Sequence, residues 1–286
     1  MQSRAANLWW LFRRAFAASY QDGCFGIAKG AAYSALLSFV PVLTAVATIL
    51  VQLNAERVSV LIARFLFTAV PPGVEELVQY SFTVRGERPD SLLVAATLLS
   101  LWAASGLMAT LMDGFNAAYR LPGGRPFLEQ RLVAIVLVLI AAAPVASASV
   151  LLVLGDRAER WLLAGLGVIP AGEQLRGGIL IAGALVRYTL SLGAIALAAA
   201  FLFYVGPNRR QQFKLVWPGA MLATALWLVA TVAFAWYVRN IANYNVMYGS
   251  VGAVIALIVW MYVLSVIALI SCEFNAERER MLNAIE

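Results

Sequence analysis

A chain of 286 residues that is 62% hydrophobic and only 13% charged, with a mean hydropathy of +0.82, lies outside the range of soluble globular proteins. Backbone polar groups inside lipid must be satisfied within the spanning element, and apolar runs this long do not alternate as barrel strands do. The fold class is therefore all-α, a polytopic membrane bundle. The net charge of +6 is what basic loops of a membrane protein supply and gives no ground for nucleic acid as a partner.

In chain order, residues 1–29 set Trp9, Trp10, Phe12 and Phe16 beside Arg13 and Arg14, which predicts a short amphipathic helix in the headgroup region and no cleaved signal peptide. A first span is expected over 30–53, with Pro41 inside it as a source of a kink. In the connection over 54–90, Val58, Leu61, Ile62, Phe65 and Leu66 recur at helical spacing. A stop at Pro71, Pro72 and Gly73 then precedes a second short piece from Val74 to Val84, so an amphipathic hairpin on the outer face is expected. Further spans are expected at 91–112, 132–154 with Pro144, 178–204 with Arg187, 217–238 and 249–272. Residues 30–272 thus form a six-span transmembrane domain, and 273–286 a tail. Lys and Arg number twelve on the face with the termini and eight on the other, which places both termini in the cytoplasm.

No histidine is present, which removes imidazole ligands and Ser/His or Cys/His nucleophile pairs; no metal site, cofactor or catalytic residue is expected. Cys24 and Cys272 fall on the cytoplasmic side and read as reduced structural thiols. Candidate cavity or gate residues group at the two ends of the bundle. At the cytoplasmic mouth, Asp113, Asn116 and Arg120 are spaced for one helical stripe, with Asn208, Arg209 and Arg210 on the following loop and Glu273 and Asn275 at the end of the sixth span. Arg209 or Arg210 is expected to pair with Asp113 or Glu273. Toward the outer side, Tyr244, Tyr248 and Gly249 make a short turn, and Arg187 lies about 14 Å into its span, either lining a cavity or snorkelling. Tyr119, Pro122 and Arg125 repeat the spacing of Tyr204, Pro207 and Arg210, a possible trace of an internal repeat.

The segments GAAYSALLSFVPVL, LWAASGLMATLMDGFNAAYR, PNRR, WPGAMLATALW and NYNVMYGSVGAVIALIVWMYVLSVIALISCEFNAERER together resemble the YihY/BrkB family of bacterial inner-membrane proteins over essentially the whole chain. The resemblance implies six spans, cytoplasmic termini and a cell-envelope role, with lipid handling among the possibilities. It also brings the family's former label, ribonuclease BN, which the residues argue against, since they offer no two-metal nuclease spacing. No nucleotide-hydrolysis motif occurs either. The expectation is a non-enzymatic transporter or handler of an amphiphile with membrane lipids as partners. The alternative is a scaffold with a solid bundle that docks another envelope complex through the outer hairpin or the cytoplasmic arginine loops.

Overall fold

In the computed structural model of the protein, residues 2–52, 90–142, 177–240 and 250–284 are described. The expected hairpin over 54–90, Pro144 and the outer turn of Tyr244, Tyr248 and Gly249 lie outside them. The described residues form seven helices and no strand. These are α1 (Gln2–Gln21), α2 (Cys24–Gln52), α3 (Asp90–Ala118), α4 (127–142), α5 (Gly177–Val205), α6 (Phe213–Asn240) and α7 (Ser250–Asn283). Five are long and apolar enough to cross a membrane, through Cys24–Ala45, Val94–Ala118, Gly183–Val205, Phe213–Tyr237 and Val254–Asn283. The expected span over 132–154 is described only to residue 142, where it coincides with α4.

Helix α7 is the hub: it packs against α1, α2, α3 and α6, while α2 lies along α3, and α5 along α6. Close approach is set by small side chains. Ala28, Ala31, Ala32 and Ala35 on α2, Ala196 to Ala200 on α5, and Ala220 and Ala223 on α6 supply much of the buried surface. Large apolar groups such as Trp102, Leu132, Val229 and Trp236 point outward, as lipid solvation permits. The main core cluster gathers Phe115, Phe203, Leu269 and both cysteines, and Phe115 meets Phe203 edge-on at 5.5 Å, a geometry worth about 1 kcal/mol beyond burial.

At 34 residues, α7 is about 51 Å long, so its last turns project past a hydrocarbon core of about 30 Å. Helix α1 straps across this projection. It buries Leu11 and Ala15 with Phe274 of α7 and leaves Trp9, Trp10, Phe16 and Tyr20 exposed on its other sides. Gly23, with φ of 71°, makes the sharp turn from α1 into α2 that an L side chain would resist.

Helix α3 ends in a Schellman cap, with the Arg120 amide bonded to the carbonyl of Ala117 at 2.8 Å and the Leu121 amide to that of Asn116 at 3.0 Å. The left-handed position, φ 52°, is held by Arg120 instead of glycine. Left-handed backbone costs an L residue about 1–2 kcal/mol, whereas the contact of Arg120 with Asp22, 3.4 Å and half exposed, contributes at most about 1. Arg120→Gly is therefore expected to raise the thermal unfolding midpoint in detergent, with Arg120→Ala failing to do so.

Candidate functional site

The polar residues of the expected cytoplasmic mouth do meet at one end of the bundle, where α1, the 119–126 loop, the 206–212 loop and the end of α7 converge. The two loops dock on one another because α5 ends with carbonyls that need donors. Arg125 supplies them: its Nη1 donates to Gly206 O at 2.8 Å, and its Nη2 to Val205 O at 3.0 Å and Pro207 O at 3.2 Å. Gln211 Nε2 donates to Phe203 O at 2.6 Å and Tyr204 O at 3.0 Å. Asn116, buried at the end of α3, accepts the Asn208 amide on its Oδ1 at 2.8 Å. Burial beneath these loops lowers the Arg125 guanidinium from its ordinary value and raises the Tyr119 phenol above its own. The two Y-x2-P-x2-R segments thus touch but play unlike parts, since Arg125 is drawn in as a cap and Arg210 is exposed.

Beside the docked loops lies a carboxylate cluster on α7. Glu273 is 0% exposed and Glu277 2%, and Arg280 serves both. Its Nη1 donates to Glu273 Oε1 at 3.1 Å and to Glu277 Oε1, and its Nη2 donates to Ala118 O at the end of α3 at 2.5 Å. Arg14 of α1 brings its Nε to 2.5 Å from the second Glu277 oxygen. One guanidinium therefore ties the hub helix to α3, and a second ties it to α1. Buried ions of this kind persist only when paired, because desolvation otherwise costs several kcal/mol each.

The expected pairing of Arg209 or Arg210 with Asp113 or Glu273 is not what forms. Arg209 donates to Glu279 and lies 4.5 Å over the ring of Tyr119, while among the described residues Arg210 makes no ion pair. The reason is that α7 continues without a break to Asn283, which rotates Glu279, not Glu273, toward the loop. Nor do Asp113, Asn116 and Arg120 share one stripe, because the Schellman cap turns Arg120 away after Ala118. Each takes its own partner: Gln130 Nε2 donates to Asp113 at 2.7 Å, Asn208 bonds Asn116, and Asp22 meets Arg120. Asn275 faces α6 instead of the loop. Its Oδ1 accepts the Gly219 amide at 2.7 Å and its Nδ2 donates to Val216 O at 2.9 Å, bracketing Pro218, which interrupts the ladder of α6. Arg280 went unforeseen, although Glu273, Glu277 and Arg280 at i, i+4 and i+7 spell one helical stripe.

Deeper in the bundle is an apolar cavity of about 510 Å³. Its wall takes side chains from α2 through α7, among them Ala35, Leu107, Ala141, Ala198, Trp227 and Trp260. Trp227 satisfies its indole N–H on Leu264 O at 2.9 Å, and Thr231 and Ser265 add the polar points. Arg187 is half-buried on α5 and is not part of this wall.

Among known proteins, the chain is similar to the putative ribonuclease-like protein YfkH of Bacillus subtilis, 27% identical over 247 residues that cover 86% of each chain. It is also similar to a UPF0761 membrane protein of Tolumonas auensis, 28% identical over 248 residues, 86% of this chain and 77% of that one. No solved structure matches it. The pattern of the family described as Virulence factor BrkB matches residues 15–285, nearly the whole bundle from the middle of α1 to the end of α7, and the chain belongs to that family of membrane proteins.

Proposed function

We propose that this protein is a non-enzymatic handler of an amphiphile in a bacterial inner membrane, with α1 and the end of α7 on the cytoplasmic side. The observation that carries this reading is the apolar cavity of about 510 Å³, to which all six helices from α2 to α7 contribute. Its size falls within the roughly 300–1,000 Å³ of small-molecule sites, and an apolar wall with two hydroxyls and two indoles suits an acyl chain better than a polar solute. The scaffold reading asks for a solid bundle and draws no support from such a void. The absence of histidine from the chain also speaks for a role without hydrolytic chemistry, whatever the name borne by the Bacillus relative.

The test fills the cavity from within. Ala198 lines it at 8% exposure, and Ala198→Phe places a ring in the void. The affinity for the lipid held in the cavity, titrated by native mass spectrometry, is expected to fall roughly tenfold, the factor that about 1.4 kcal/mol of binding represents. The unfolding midpoint should hold or rise as the void is filled. Undiminished lipid in a folded Ala198→Phe variant would sink the reading.

A further inference from the structure

Helix α4 opens with two polar residues that turn in opposite directions. Gln130 reaches the loop end of α3, donating to Asp113 and, at 3.3 Å, to Ala109 O. Arg131 carries its guanidinium the other way, with Cζ 4.3 Å from the centre of the Trp102 ring. Its Nη1 lies 3.6 Å from where a Cβ on Gly106 would stand, and Ser34 of α2 borders the same space at 4.0 Å. Counted from the end of α3 at Ala118, Gly106 and Trp102 stand about 18 and 24 Å into the bundle, within the Val94–Ala118 span. Arginines near helix ends ordinarily bend back to the headgroups. Arg131 reaches into the hydrocarbon instead.

What it finds there leaves it incompletely satisfied. Among the described residues its buried Nε has no hydrogen-bond partner and no carboxylate pairs with it. The guanidinium carbon stands over the face of Trp102, and Trp102 itself is 55% exposed on the lipid-facing side of the bundle. Trp102, Gly106, Ala109 and Asp113 share one stripe of α3, opposite the Leu107, Met108 and Leu111 stripe that walls the apolar cavity. The seam is thus a separate place. A glycine beside the guanidinium leaves room, a serine hydroxyl offers one more donor, and Gln130 and Asp113 continue the polar line toward the loop face.

We propose that Arg131, stacked on Trp102 beside Gly106 and Ser34, binds the phosphate of a membrane lipid about midway through the bundle. A guanidinium held over an aromatic ring uses none of its N–H groups in that contact, and two of them on one edge match two phosphate oxygens. The lipid identity of the ligand rests on the amphiphile-handling reading above, whereas the anion chemistry rests on Arg131 alone.

The experiment loads the full-length protein with phosphatidylglycerol in detergent and counts bound lipid by native mass spectrometry, beside inorganic phosphate as a competitor. Wild type is expected to retain phosphatidylglycerol at least tenfold better than Arg131→Gln, with Arg131→Lys, which keeps charge but not the paired donors, in between. Quenching of tryptophan fluorescence by brominated phosphatidylglycerol, reduced in Trp102→Phe to the level that the other exposed tryptophans supply, gives a second reading without a change at Arg131. Equal retention by a folded Arg131→Gln, or quenching undiminished in Trp102→Phe, would overturn the proposal. Displacement of the lipid by millimolar inorganic phosphate would assign the site to a soluble anion and overturn the lipid claim. Ala198→Phe should leave the Arg131-dependent lipid in place, so failure of the cavity reading and failure of this site show up in different variants.

Discussion

Replacing Arg280 with methionine should lower the stability of the protein by about 3–5 kcal/mol, seen as a large fall in the thermal unfolding midpoint and in folded yield. The magnitude comes less from what Arg280 gains than from what it leaves behind. Among the described residues, the fully buried Glu273 has Arg280 as its one hydrogen-bonding partner, and its other oxygen has none. Glu277 keeps Arg14, which is half exposed, so the loss falls mainly on Glu273. The carbonyl of Ala118 also loses its donor. Removing the charges together tests the cause: Glu273→Gln with Glu277→Gln in the Arg280→Met background should recover most of the loss, since an uncharged trio of similar size avoids the desolvation that the pairs must offset. If Arg280→Met alone melts like the wild type, the cluster is not holding α7 to α3.

The second large effect is expected at Gly219, where one methyl group should cost about 3–5 kcal/mol. A Cβ there would stand 2.4 Å from the Ser271 carbonyl oxygen and 2.3 Å from Asn275 Nδ2. The Ser271 oxygen is backbone on a packed helix and cannot swing aside as a side chain can, so α6 and α7 must separate, and overpacking of this kind costs about 1–3 kcal/mol. Separation also strains the two bonds by which Asn275 serves the Gly219 amide and the Val216 carbonyl, each buried and worth about 1–3 kcal/mol when left unmade. Alanine's better helix propensity returns less than about 1 kcal/mol, too little to reverse the sign. Gly219→Ala should unfold at markedly lower temperature, and Asn275→Leu, which removes the bonds without the clash, should fall between it and wild type. A Gly219→Ala protein as stable as its parent would mean that α6 and α7 do not approach this closely.

Both effects sit where the sequence is only half informative. Hydropathy alone marks α2, α3, α5, α6 and α7, because an apolar run of span length has one stable fate in lipid. The convergence of polar groups at one end also follows from topology, which brings DGFNAAYR, PNRR and CEFNAERER to the same face. Partner choice does not follow. It depends on rotation about α7, and ending that helix at Cys272 hides that Glu279 faces the loop and that Arg280 returns under Glu273. Asn275 was legible as a polar residue in an apolar setting, but its role as a brace for Pro218 needs the distance between two helices. Arg131 reads as a loop residue because it precedes an apolar run, and only the fold shows its side chain lying on Trp102.

The strap of α1 over α7 sets an order of events during synthesis. Helix α1 leaves the ribosome before α7, and Leu11, Ala15 and Arg14 find Phe274 and Glu277 only once α7 has been made. Until then α1 has no tertiary partner of that kind, and its apolar face is free to rest on the bilayer surface. Closing the α1–α7 contact therefore waits for the helices between them and is slow by its sequence separation, and a chain stalled before α7 would display α1 to quality-control proteases.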